Sequence, residues 1–366
     1  MSHSPQLDCL ADVSRPARAL PVLAEQADIS YHEAAARSVL NAPAATGMPF
    51  WSLNPYVGCA FGCAYCYARY AHRYTMERAS DATGERGDDA TPFGGGDALP
   101  PWLAFERRIL VKRDAAALLE RALRPGSRAW RAIVERGEPL AIGTATDPYQ
   151  PAERRFRVTR AVLGVLARLE GLRVGIITKS ALVTRDAGLL GEIARRSRLT
   201  VNVSLITTDR DLARRIEPRA PTPEARLRAV RRLRDAGVDV GVNCMPVLPG
   251  ITDGPAALDA LVAAVGEAGA THLNACALRL RSTARQRYLP WLAETFPLLA
   301  SRYRAAYAVS HQPGERYRAR LRALLVRLCA DHGVTYGAFR TESEEYDGAS
   351  RGTSGVARGA QLLLQL

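Results

Sequence analysis

Asn54-Pro55-Tyr56-Val57-Gly58-Cys59-Ala60-Phe61-Gly62-Cys63-Ala64-Tyr65-Cys66-Tyr67-Ala68-Arg69 holds three of the chain's seven cysteines within eight residues, spaced C-x3-C-x2-C with an aromatic directly before the last. Thiolates this close repel one another unless a cation neutralises them, and soft sulfur donors suit zinc or an iron-sulfur cluster. A disulfide reading fails, because three is odd and nothing points to an oxidising compartment. A structural zinc site needs a fourth ligand, for which His72 is the nearby candidate, at a spacing unlike the usual zinc pairs. A 4Fe-4S cluster on three cysteines instead leaves one iron open to chemistry.

Outward from this stretch, Phe50-Trp51-Ser52-Leu53 reads as the strand that delivers the cysteine loop, and residues 65–74 as the helix that follows it. Residues 75–104 turn polar, with Gly94-Gly95-Gly96 and Pro100-Pro101, and read as a surface loop. Short apolar runs then alternate with amphipathic stretches. Ile109-Leu110-Val111 precedes a helix over 115–124, Leu140 to Gly143 one over 158–169, and Val174 to Ile177 one over 187–196. Leu199 to Leu205 precedes a break and a helix over 223–236, Val238 to Cys244 a helix over 256–268, and Thr271 to Leu278 closes the series. Continuous apolar strands separated by helices predict an α/β fold with a parallel sheet and right-handed crossovers, and about six units suit a partial (β/α)6 barrel.

The expected organisation is an N-terminal arm over 1–47, loosely packed with one short helix near 30–40, and a barrel over 48–281 carrying the 75–104 insertion. A helical C-terminal extension over 282–340 and a flexible tail over 341–366 follow. Arg316, Arg318, Arg320 and Arg322 fall every second residue and spread around a helix, which predicts a solvated one.

With 366 residues, 47% of them hydrophobic, the chain can bury a substantial core. No run of about 18 apolar residues occurs, which argues against a membrane span, and the first residues lack the basic-then-apolar order of a secretory signal. A cytoplasmic protein is expected. The net charge of +13 invites a nucleic-acid reading. Only Lys112 and Lys179 are lysines, however, so 50 − 2 = 48 of the basic residues are arginine, a skew that GC-rich coding produces by itself. The two lysines stand out for the same reason, as points where a compact ammonium is wanted.

C-x3-C-x2-C with an aromatic before the third cysteine resembles the radical S-adenosylmethionine (SAM) superfamily. Thr146-Asp147-Pro148-Tyr149-Gln150-Pro151, Ile177-Thr178-Lys179-Ser180, and Glu217-Pro218 with Arg226 resemble its branch containing spore photoproduct lyase and bacterial relatives. The resemblance covers residues 48 to 255, and more weakly to about 310. It implies a 4Fe-4S cluster on Cys59, Cys63 and Cys66, SAM chelating the open iron, and reductive cleavage of SAM to a 5'-deoxyadenosyl radical. It further implies an electron donor such as flavodoxin or ferredoxin.

Matched motif by motif, the resemblance places Thr146 among the cofactor-binding residues and assigns Asp147 to the SAM ammonium, Lys179 to its carboxylate, Ser204 to a further SAM contact and Tyr65 to packing on the cofactor. In a parallel barrel such residues gather on loops after the strands' C-terminal ends. The bland alternatives are a turn at Asp147-Pro148, a strand-end cap at Lys179 and a backbone bond at Ser204. Tyr67 is the candidate radical relay, or else a buried aromatic.

One departure matters: the lyase carries a hydrogen-donating cysteine three residues before the motif's aspartate, and this chain has Thr144 there. A threonine O-H bond is too strong to quench a carbon radical. Cys244 becomes the candidate catalytic thiol, with Cys276 the other thiol on a barrel strand, although as small buried hydrophobes neither needs a function. The expectation is a radical SAM enzyme acting on an unidentified substrate, with a nucleic acid or nucleotide first by family analogy and a peptide or small metabolite behind. The alternative is a non-catalytic iron-sulfur protein for electron transfer or nucleic-acid binding.

Overall fold

A computed structural model describes residues 22–26, 28–34, 36–70 and 99–337. The strands among them are β1 (Val22–Gln26), β2 (Ile29–Glu33), β3 (Leu40–Asn41), β4 (Trp51–Leu53), β5 (Tyr56–Val57), β6 (Arg108–Val111), β7 (Leu140–Ile142), β8 (Arg173–Thr178), β9 (Arg198–Ser204), β10 (Asp239–Val247), β11 (His272–Ala277) and β12 (Thr335–Tyr336). An eight-stranded sheet runs in the order β12-β11-β10-β9-β8-β7-β4-β3, every pairing parallel except β3 with β4. Successive strands are neighbours joined by helices, as the apolar runs predict. The two edge strands do not pair, so the sheet is an open, partial barrel.

The strand and helix readings from β7 to β11 agree with the structure to within a few residues. Helix Ala187–Arg196 falls where the periodicity put it, and helix Pro223–Asp235 begins where Thr222 caps the Ala225 amide ahead of Pro223. The apparent break after β9 holds another helix, Arg210–Ile216, whose first amides are capped by the Asp209 carboxylate.

Five expectations are corrected. The described part of residues 22–47 is no loose arm: β1 pairs with β2, β2 with β6 and β6 with β5 in a second, four-stranded sheet, and Ile29, Tyr31 and Val39 are buried. Where a helix near 30–40 is expected, Ile29–Glu33 is a strand, with Ile29 and Tyr31 entering the main core. Ile109-Leu110-Val111 accordingly belongs to the small sheet and not to the barrel. After the cysteines the described chain makes one 3-10 turn, Tyr67–Arg69, where a helix over 65–74 is expected, and residues 101–104 of the expected loop open a helix, Pro101–Arg107.

Residues 1–21, the rest of the helix and loop readings over 71–98, including His72, and the tail over 341–366 lie outside the described residues. Among the described residues no helix is long and apolar enough to cross a membrane. Helix Glu315–Asp331 turns Leu321, Leu325 and Leu328 inward and leaves Arg316, Arg320 and Arg322 exposed, as the arginine spacing predicts.

The core has two parts. One lies between the sheet and its outer helices, with Leu163, Ile176, Val201, Val242 and Val262. In the other, Phe61, Cys63 and Tyr65 pack with Leu278, Tyr288, Leu292, Tyr303 and Tyr307, so the helices beyond residue 282 form one wall of the cysteine loop's surroundings.

Candidate active site

The cysteine loop opens from β5 with Gly58 at φ +86° and turns again at Gly62, φ +66°, a region that favours glycine. Its backbone is gripped from several directions. Cys59 N-H donates to the Phe105 carbonyl (2.9 Å) and Ala64 N-H to that of Ile216 (3.1 Å). Gln150 accepts from the Ala60 amide (2.9 Å) and donates to the Gly58 carbonyl (3.0 Å), which Thr146 Oγ1 also reaches at 2.6 Å. The fully buried Arg69 donates to the Cys63 carbonyl (2.8 Å) while paired with Glu106 (2.6 Å), and Arg219 donates to that of Ala60. A loop held at this many points is preorganised before any cofactor binds.

The three thiols line one cavity with Tyr65, Tyr67, Thr144, Thr146, Asp147, Lys179, Ser204, Asn243 and Cys276. Lys179 Nζ lies 3.1 Å from Cys63 Sγ and 3.2 Å from both the Tyr65 hydroxyl and Glu217 Oε1. Glu217 also accepts from Tyr65 and pairs with the buried Arg226. Burial by itself would raise the Glu217 carboxyl, but Arg226 and Lys179 overcome it and hold it at about 2. Burial pushes the Cys63 thiol up to about 11, against the pull of Lys179. Two buried thiols and the half-buried Cys66, each raised by desolvation and open on one cavity beside an ammonium, are a donor set that a cationic cluster satisfies. They do not surround one point: among the described residues no three His, Cys, Asp or Glu side chains are gathered as a single metal ion requires.

Asp147 is buried and raised by that burial, and its carboxylate accepts from Tyr149 N-H (2.9 Å), Thr178 Oγ1 (2.6 Å) and Lys179 N-H (2.8 Å). It therefore ties the loop after β7 to the end of β8 and aims Lys179. Thr146 is spent on the cysteine loop. Ser204 ends β9 at the cavity wall, its carbonyl held by Arg226 (3.1 Å). Tyr67 is 36% exposed at the rim, its hydroxyl donating to the Thr144 carbonyl.

Cys244 stands apart from these residues. Strand alternation turns its neighbours Asn243 and Met245 into the cavity and Cys244 away, into the core, where burial pushes its thiol up to about 12. Cys276 on β11, by contrast, lines the cavity. Sequence reading also passed over Asn54, which donates to Thr144 Oγ1 (3.2 Å) and accepts from Ala145 N-H (2.9 Å), and the locking role of Gln150. Their signal was present, a polar side chain inside each motif, but not their partners.

A model of the radical SAM superfamily matches residues 53–261. An uncharacterized protein of Mycobacterium tuberculosis H37Rv is 37% identical over 306 residues, 83% of this chain and 81% of that protein. An uncharacterized protein of Acidianus two-tailed virus is 30% identical over 200 residues, 54% of this chain and 56% of the viral protein. Spore photoproduct lyase complexed with dinucleoside spore photoproduct superposes with a TM-score of 0.57 at 13% identity, covering 87% of this chain and 86% of the lyase. A mutant of that lyase with bound AdoMet and dinucleoside spore photoproduct gives 0.51 at 12% identity over 78% and 75%. At such identities the likeness is one of fold.

Proposed function

Because the chain belongs to the radical SAM superfamily, whose cofactors are a 4Fe-4S cluster and SAM, we propose that Cys59, Cys63 and Cys66 hold that cluster and that the cavity beside them takes SAM and a nucleic-acid or nucleotide substrate. When bound, the cluster and SAM supply a 5'-deoxyadenosyl radical that removes hydrogen from the substrate. The observation that carries the proposal is the convergence of three thiols, Lys179 and Asp147 on one cavity, with the ammonium 3.1 Å from a ligand sulfur. A cluster kept only to pass electrons has no use for this ammonium-lined space.

Lys179 is the partner for the SAM carboxylate. Asp147 keeps a lone pair beyond its three bonds for the SAM ammonium, since a carboxylate offers about four acceptor sites. Ser204 supplies a further polar contact, Thr146 fixes the loop that carries the ligands, and Tyr65, its hydroxyl held by Glu217, packs its ring on the cofactor. An external electron donor such as flavodoxin or ferredoxin and a cytoplasmic setting fit this chemistry. The barrel over 48–281 carries the site and residues beyond 282 complete its wall. The nucleic-acid assignment draws support from the lyase fold and the net charge of +13.

Thr144 bears on how the substrate radical ends. With no thiol there, hydrogen returns from 5'-deoxyadenosine or comes from Cys276, with Tyr67 at the rim as relay. In deuterated water, deuterium in the product identifies the exchangeable thiol, and its absence identifies direct return.

The test is anaerobic incubation of the iron-replete protein with SAM and dithionite. Formation of 5'-deoxyadenosine, increasing when oligonucleotide substrate is added, is expected. A protein with its full iron complement that forms none contradicts the proposal.

A further inference from the structure

Two helices that contribute nothing to the cavity lining, Arg210–Ile216 and Ser282–Thr295, come within a hydrogen bond or two of a cluster ligand. The Ala64 amide, next in the chain to Cys63, donates to the carbonyl of Ile216 at 3.1 Å, and Ile216 directly follows Arg215. Helix Ser282–Thr295 packs on the 3-10 turn Tyr67–Arg69 just past Cys66. Its Arg287 lies 3.8 Å from Glu106, whose other oxygen pairs with Arg69, the donor to the Cys63 carbonyl.

The two helices meet at the surface. Arg215 donates to the Thr295 carbonyl (2.7 Å) and lies over the Phe296 ring, 4.4 Å from its centroid. Phe296 packs edge-on to Trp291 at 5.7 Å, and Trp291 packs at 5.2 Å on Tyr288, which is fully buried in the same core cluster as Cys59 and Cys63. Phe296 and Trp291 are half-buried, Arg215 is exposed, and Leu298, two residues past Phe296, is 91% exposed. An apolar and aromatic centre with a charged rim is the anatomy of a protein-docking surface.

The rim has one sign. Helices Arg210–Ile216, Ser282–Thr295 and Ala300–Ala306 carry seven arginines against two carboxylates, Asp211 and Glu294. Arg210 and Arg287 are paired with Glu224 and Glu106, which leaves 7 − 2 = 5. Such a rim attracts an acidic partner and repels a second copy of this chain. A leucine and two aromatics at its centre favour a protein over a polynucleotide, whose contacts go largely to phosphate and sugar.

We propose that Arg215, Trp291, Phe296 and Leu298 dock the acidic one-electron carrier protein that reduces the cluster, with the Ala64 to Ile216 hydrogen bond and Tyr288 between the carrier and Cys63. One electron leaves the reduced carrier, which is oxidised by one equivalent, and the cluster is reduced by one; no bond forms or breaks. This rests on the cluster assignment proposed above and adds the side from which its electron comes, so that the cavity stays free for SAM and substrate.

The test is calorimetric binding of flavodoxin to the iron-replete protein at about 50 mM salt. Arg215→Glu, Leu298→Glu protein is expected to bind about tenfold or more weakly, and raising the salt to about 200 mM should narrow the difference. Arg121→Glu, Val326→Glu protein makes the same charge change at an exposed arginine and a 44% exposed valine on other helices, and is expected to differ by less than about threefold. Bleaching of the cluster by reduced flavodoxin should slow in step with the lost affinity in the first variant, while bleaching by dithionite stays equal in all three proteins. Iron content and melting midpoint show that each variant is folded, and Leu298→Glu alone, at a side chain with almost no neighbours, should weaken binding in the same direction. Equal loss in both double variants, loss in neither, or no binding of flavodoxin to the unmodified protein overturns the proposal. So does an oligonucleotide that displaces flavodoxin and binds the first variant more weakly, or a dimer that the first pair of substitutions dissociates. Formation of 5'-deoxyadenosine with dithionite, scored in parallel, reports on the radical SAM reading independently of the affinity for flavodoxin.

Discussion

Glu217 joins most of the charged residues of the site: both of its oxygens are occupied, one by Tyr65 and Lys179 and the other by Arg226. A carboxylate held at about 2 against an ordinary 4.5 contributes stability that is fully present above about pH 4.5 and is lost as pH falls through 2. Glu217→Gln leaves Arg226 buried without a counter-charge and is expected to cost about 3–5 kcal/mol near neutral pH. The difference from the unmodified protein should shrink as pH falls through that window, which denaturant titrations at successive pH values will measure. A difference independent of pH would remove the ion pair as its cause. Lys179→Ala removes a charged hydrogen bond worth roughly 1.5–3 kcal/mol, so SAM affinity by equilibrium dialysis should fall by about one to two orders of magnitude while iron content persists. Unchanged affinity would reassign the lysine to holding Cys63 alone. At this scale the three clustered cysteines and Lys179 were legible because their chemistry is rare in the chain. The different surroundings of Cys244 and Cys276 were not, since which face of its strand each occupies depends on register.

The loops after β7 and β8 depend on close backbone approach. Gly143, at φ +92°, donates its N-H to the Leu53 carbonyl at 3.1 Å, and a Cβ there would meet the Ile177 carbonyl at 2.5 Å and Pro148 Cδ at 2.6 Å. Gly143→Ala is therefore expected to destabilise by at least about 1–3 kcal/mol and to loosen the Thr144 to Asp147 segment. Gly164, within helix Val158–Leu166, has nothing near its missing Cβ, so Gly164→Ala should stabilise by about 0.4–1 kcal/mol. Denaturation midpoints that move in the same direction for both would contradict this account of the loop. Central strands and amphipathic helices could be read from periodicity, because their neighbours in sequence are their neighbours in space. The small sheet could not. Its β2 and β6 are more than 70 residues apart, and their pairing Tyr31 with Ile109 is a tertiary fact that local pattern does not carry.

Taken whole, the molecule gathers its site from both ends. Residues before the barrel supply β1 and β2 of the small sheet, which also holds the β5 that leads into the cysteine loop, and residues after it supply Tyr288, Tyr303 and Tyr307, packed against the loop. The charge of +13 was legible from composition, but not its placement: Arg316, Arg320 and Arg322 are exposed on the helix Glu315–Asp331, while Arg279 lines the cavity just past the end of β11. The claim on which everything else depends is that three cysteines hold a cluster whose free face meets SAM. Electron paramagnetic resonance of the anaerobically reduced protein, recorded before and after SAM is added, tests it most directly. The account predicts a reduced 4Fe-4S signal, lost in Cys59→Ala, Cys63→Ala and Cys66→Ala, whose line shape changes when SAM binds. Stoichiometric zinc in place of iron, or a cluster signal indifferent to saturating SAM, would contradict it.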